Sequence, residues 1–174
     1  MLLAIVCMTA SALSVLYTSL QPVPKAPIDA VHTWQDTHGI LLDAYVPQCC
    51  TALIAVSAAF LAYSDLAKFC KVFRNVYAPA MLFKAIVGAV TLIPDADPRC
   101  RGPYDPYTCL TRNDMMPSGH MILATSVACL SNFAIFESAL ACVVGATLVL
   151  AKTHFTADVL VSTVLTVLLY KVSI

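Results

Sequence analysis

Leu148-Val149-Leu150-Ala151-Lys152-Thr153-His154-Phe155-Thr156-Ala157-Asp158-Val159-Leu160 can be read in two ways, and the choice sets the fold. One reading is a single long helix with a re-entrant turn. The other is two short apolar segments, Ser138 to Ala151 and Phe155 to Val172, meeting at a loop that holds His154. Lys152 and Asp158 cut into the shared end of the two segments, and ionisable residues inside an apolar span are costly. The second reading is therefore preferred.

Working outward, the same apolar character fills the chain. Of its 174 residues 60% are hydrophobic and 11% charged, against roughly 45–50% and about 25% in soluble domains. A bilayer core about 30 Å thick asks for roughly 20 apolar residues per helix. Four more candidates meet or approach that length: Met1 to Leu20, Ala44 to Ser64, Val76 to Pro94 with Lys84 in its middle, and Met115 to Phe136. The expectation is an all-α polytopic membrane protein with six transmembrane helices in one domain covering residues 1–174. Met1 to Leu20 lacks the positively charged start of a secretory signal, so a retained span is favoured over a signal peptide.

Between the spans, Gln21 to Gly39 and Pro94 to Pro117 are dense in proline, which precludes regular helix and gives stiff extended loops. Asp65 to Asn75 reads as a further loop and Glu137 as a tight turn. Six spans put both termini on one side with Lys68, Lys71, Arg74 and Lys171. The other side carries Lys25, Arg99, Arg101, Arg112 and Lys152, a nearly even count of the residues that set orientation. With the termini inside, both histidine strings face the lumen or exterior.

Formal charge is zero and no long basic run exists, so a nucleic-acid partner has nothing to bind electrostatically. Cys100 and Cys109 share one loop nine residues apart, a plausible disulfide on an oxidising side. The other six cysteines lie mostly in apolar runs and read as packing residues. No pair has metal-ligand spacing, and no metal or cofactor is expected.

Two strings carry chemistry. In Met116-Pro117-Ser118-Gly119-His120, Ser118 is a natural N-cap and Gly119 allows close backbone approach. Helix-start amides form a ready anion site, so the string describes a phosphate cradle with an imidazole beside it; the alternative is a capped helix start with an incidental histidine. In His154-Phe155-Thr156-Ala157-Asp158, a histidine four residues before an aspartate lies on the same helix face. The carboxylate can orient and charge-stabilise such a ring as nucleophile or general base, and Thr156 can support the turn or bond a ligand. The alternative is a capping or packing pair.

These residues resemble the sphingomyelin synthase-related branch of the type 2 phosphatidic acid phosphatase superfamily. That family carries Asp-x-x-x-Ser-Gly-His and His-Tyr-Thr-x-Asp, matched by Asp114 through Ser118-Gly119-His120 and by His154 through Asp158, with Phe155 replacing tyrosine. Ala26-Pro27-Ile28-Asp29 is similar to its Pro-Leu-Pro-Asp string, and Lys84, Thr91 and Pro94 to its Arg, Thr and Pro at the same spacing. The resemblance runs from about residue 26 to the end of the chain, and the two histidine motifs are its specific part.

The resemblance implies a phosphotransferase with His154 as nucleophile, Asp158 as its orienting partner and His120 as general acid, then base. Ser118, Gly119, Asp114, Lys84, Thr156 and Asp29 would be the substrate-binding set. Its implied partners are membrane lipids: a glycerophospholipid donor, a ceramide acceptor and a diacylglycerol product. A multi-pass protein of the Golgi, endoplasmic reticulum or plasma membrane is implied, homo-oligomers included. Phosphatases of the superfamily carry Ser-Arg six or seven residues ahead of the last histidine; Thr147-Leu148 stands here, removing a bidentate phosphate clamp. That favours transfer between lipids over hydrolysis. Lys84 in place of arginine and Arg112-Asn113 in place of Cys-Gly leave headgroup choice open. A lipid phosphate phosphatase of the same fold, and a non-catalytic lipid-binding membrane protein, are the competing readings.

Overall fold

The computed structural model describes residues 2–20, 28–43, 45–91 and 117–173, and all regular structure among them is helical. The elements are α1 (Leu2–Ser19), α2 (Ala30–His38), α3 (Tyr45–Ser64), α4 (Leu66–Val72), α5 (Ala78–Val90), α6 (Gly119–Leu130), α7 (Ile135–Leu150) and α8 (Thr156–Ser173). A π-helical turn, Phe73–Tyr77, fuses α4 to α5 without a break. Helix α6 sits at the centre, packed by α3, α7 and α8, while α1 lies along α5. Almost every residue of α6 from Met121 onward is buried for that reason.

Helix α8 shows which solvent the bundle is built for. Its inward stripe is polar, with Asp158, Ser162 and Thr166 almost wholly buried at i, i+4 and i+8. Its outward stripe is apolar, with Leu160, Val164 and Leu168 all more than half exposed. This inverts the pattern of a helix facing water. The inward hydroxyls are satisfied along the helix, Ser162 donating to the Asp158 carbonyl at 2.6 Å and Thr166 to that of Ser162 at 2.7 Å. Helix α3 likewise exposes Leu53, Val56 and Phe60. Helices α3 and α8 are long and apolar enough to cross a membrane, whereas α6 and α7 are apolar but shorter.

Several expected boundaries move. Residues 66–75, within the expected loop from Asp65 to Asn75, are helical because Asp65 caps α4, accepting from the Lys68 amide at 2.9 Å. Much of the expected extended loop from Gln21 to Gly39 is α2, which starts beyond the last proline, Pro27. Asp29 caps α2, and Gly39 at φ +64° ends it, with Ile40 N–H donating to the Gln35 carbonyl. The turn expected at Glu137 lies at Ser131 to Ala134; Asn132 and Phe133 take left-handed φ of 56° and 57° there, and Glu137 is inside α7. The fourth apolar segment therefore ends its helix at Leu130 rather than Phe136. Ser138–Ala151 and Phe155–Val172 do form separate helices, α7 and α8, on either side of His154.

Candidate active site

The starts of α3, α6 and α8, the end of α7, the later part of α5 and all of α2 gather at one end of the bundle. At the start of α6, Pro117 and Ser118 are fully buried, and the Ser118 hydroxyl accepts from the Met121 amide at 3.3 Å. The Gly119 and His120 amides are the first two of the helix and have no partner within it by geometry. The methylenes of buried Lys84 lie against Gly119: a Cβ built there would be 3.5 Å from Lys84 Cε, an ordinary contact. His120 Nε2 is 3.2 Å from Gln48 Oε1 on α3, so the Nε2–H tautomer donates to that amide oxygen.

His154 sits in the turn between α7 and α8. Helix α7 ends in a Schellman arrangement: Thr153 N–H donates to the Leu148 carbonyl at 3.1 Å and Lys152 N–H to that of Val149 at 3.0 Å. Lys152 occupies the left-handed position at φ 55° that glycine usually takes. Helix α8 then begins with half a capping box, in which Phe155 N–H donates to Asp158 Oδ2 at 3.0 Å. The same oxygen lies 3.6 Å from His154 Nδ1, an ion-pair distance beyond hydrogen-bond range. The His120 and His154 rings meet edge to face, with centroids 5.9 Å apart.

Helix α2 straps this turn down. Asp29 caps two helices at once. Its Oδ1 accepts from the Val31 and His32 amides at 2.9 and 3.2 Å and from the Thr156 hydroxyl at 3.1 Å; its Oδ2 accepts from the Thr156 amide at 2.7 Å. Gln35 Nε2 donates to the Leu150 and Ile40 carbonyls at 2.9 and 3.3 Å, and Leu42 N–H donates to the Leu150 carbonyl. Asp36 pairs with Lys152. The buried His32 ring packs on Phe155 at 5.4 Å between centroids.

With this geometry in hand, the chain matches no protein-family model, no curated protein and no solved structure.

Electrostatics outside the apolar helices follow from the strap. Partial burial pushes the Asp29 carboxyl up, but the amides of Thr156 and His32 and the nearby His32 ring outweigh it and hold it below its ordinary range. Burial lowers His32 below 6.5; Asp29 opposes that shift and the Lys152 ammonium reinforces it. The strap thus works with Asp29 charged and His32 neutral.

Of the expected residues, His120, His154, Asp158, Ser118, Gly119 and Lys84 share one end of the bundle. Asp29 and Thr156 are there too, bonded to each other. Asp114, Cys100 and Cys109 lie outside the described residues. Gln48, His32, Gln35 and Asp36 were not singled out for the site in the sequence. Gln48 had a signal, as the lone amide in the apolar run from Ala44; the other three lie in a segment whose helical character the neighbouring prolines concealed. No group of three metal-ligating side chains occurs among the described residues. Chemically, two imidazoles, one carboxylate and one buried ammonium beside a helix start suit nucleophilic attack on an anionic centre with proton transfer.

Proposed function

We propose that the protein is a six-span membrane phosphotransferase similar to sphingomyelin synthases, moving a phospho-headgroup from a glycerophospholipid to a ceramide-type alcohol. The observation that carries the proposal is the meeting of His120 and His154 at 5.9 Å with Asp158 at 3.6 Å from His154 Nδ1. The inverted polarity of α8 supports the membrane setting, with the site facing the lumen or exterior.

His154 Nδ1 faces Asp158, so Nε2 attacks phosphorus. The phosphorus–oxygen bond to glycerol breaks, and the departing oxygen takes a proton from His120 in its imidazolium form, which leaves that ring neutral and releases diacylglycerol. The acceptor hydroxyl then gives its proton back to His120 and attacks phosphorus, and the phosphorus–nitrogen bond breaks. Asp158 stabilises the positive charge His154 carries while bonded to phosphorus. Lys84 and the α6 start offset the negative charge of the phosphoryl oxygens.

The test is to incubate the purified full chain with labelled phosphatidylcholine, phosphatidylethanolamine or phosphatidylinositol plus ceramide, and to identify products by mass spectrometry. A headgroup-bearing ceramide is expected from at least one donor, and His154→Ala should lower its formation by about three orders of magnitude or more. Product from none of the donors overturns the synthase reading. Phosphate release from phosphatidic acid without acceptor would replace it with the phosphatase reading. Unchanged turnover in His154→Ala would remove the nucleophile assignment.

A further inference from the structure

The proposed reaction leaves unused a cleft of about 280 Å³ reaching toward the end of the bundle opposite the histidines. It arises because α3 and α4, joined at Asp65, touch near their turn, whereas the π turn and α5 beyond pack on α1, α6 and α8 instead. The hairpin splays, and α6 forms the floor of the wedge. One wall is low, built from Ala55, Ala58 and Ala59 of α3. The other is a ladder of stacked rings: Phe69 on Phe73 at 5.8 Å and Phe73 on Tyr77 at 5.1 Å. Between the aromatic ladder and the alanine wall the lining is almost wholly apolar, which suits a hydrocarbon chain.

Two polar features say what that chain belongs to. In the floor, buried Ser126 has a hydroxyl with no hydrogen-bond partner. Other helix hydroxyls, such as Ser162 and Thr163, donate to a carbonyl four residues back. Beside the lining residues in the chain, Lys68 precedes Phe69, Lys71 precedes Val72 and Arg74 of the π turn follows Phe73, with Lys71 and Arg74 exposed. Among the described residues no carboxylate pairs with these three cations. The acids at this end are Asp65, which caps α4, and Glu137, which accepts from Ser57. Positive charge is in excess where a headgroup would lie.

We infer that this cleft binds one anionic phospholipid, an acyl chain between the alanine and aromatic walls, an ester oxygen on the Ser126 hydroxyl and the phosphate on Lys68 and Lys71. The inference rests on the membrane setting and not on phosphotransfer. The occupant is distinguished from the reacting lipids by its headgroup, which would lie on Lys68 and Lys71 of α4, at the end of the bundle opposite His120 and His154.

The full chain in nanodiscs holding equal phosphatidylglycerol and phosphatidylcholine should retain one phosphatidylglycerol through detergent extraction, read by native mass spectrometry. Lys68→Gln with Lys71→Gln should lower that retention by about fivefold per lysine. Ala59→Leu, on an exposed position of the wall, should abolish it by filling the channel, with Ala55→Leu as the second variant if helicity is lost. His154→Ala should retain the lipid as the unaltered chain does, which separates this site from turnover. Equal retention of the two lipids would overturn the inference. So would undiminished retention in a helical Ala59→Leu or Ala55→Leu variant, because charge alone would then explain the preference.

Discussion

His120 and His154 face each other across 5.9 Å, yet they are held by opposite means. His120 rides on the first turn of α6, whose start is fixed locally by Ser118 and whose body is buried on all sides. His154 belongs to no helix. Its turn depends on a residue in left-handed conformation, on a cap at Asp158, and on α2, more than a hundred residues earlier in the chain. One imidazole is positioned by short-range rules and the other by a strap. Damage to the strap should therefore disturb one half of the site and spare the other.

The largest effect is expected at Asp29. Asp29→Ala removes four hydrogen bonds and the caps of two helices, and should cost about 2–4 kcal/mol of stability. Turnover should fall with it, while hydrogen exchange slows no less at the α6 start than in the unaltered chain. Equal loss of protection at His120 and His154 would break the distinction. Next is Ser118→Ala, which removes a purely local cap and should cost about 1 kcal/mol, measured as a shift of the thermal midpoint in detergent. Its exchange signature should be confined to the start of α6.

Lys152 tests whether its left-handed backbone is strained. Lys152→Ala loses the pair with Asp36 and keeps the unfavourable φ, whereas Lys152→Gly loses the same pair and relieves the backbone. The glycine variant should be the more stable of the two by about 1 kcal/mol. Equal stabilities would show that the turn imposes no such cost.

The smallest expected effect is a pH dependence seated in the strap. Because the fold lowers the pKa of His32, the neutral ring is favoured when folded. Its contribution is therefore complete above 6.5 and is lost as pH falls through the lowered value. Asp29, also lowered, acts in the same sense at lower pH. Thermal midpoints measured downward from about pH 7.5 should decline in the unaltered chain and decline less in His32→Phe. Parallel curves would remove His32 from the strap.

Much of this was legible in the residues. The division of α7 from α8 at Lys152 and His154 and the cap at Ser118 follow from spacing over a few residues, whereas His154 and Asp158 do not share the helix face their spacing suggests: His154 lies in the turn before α8 and meets Asp158 because that carboxylate caps the helix start. The helix over residues 66–75 reads as a loop by its charges, although Asp65 is a strong cap. The turn near Glu137 was displaced because Asn132 and Phe133 adopt left-handed conformations that only Asn132 suggests by type. Helix α2 was hidden by the prolines before it.

The helical class, the apolar segments and the two histidine strings are readable from the residues alone, because periodicity and capping act within one or two turns. That Asp29 joins α2 to α8, that Gln48 meets His120 and that the α3–α4 hairpin opens a cleft emerge from the packing of the folded chain. Those contacts connect residues tens to more than a hundred positions apart, and their partners are chosen by how the helices pack around α6, which no local pattern encodes.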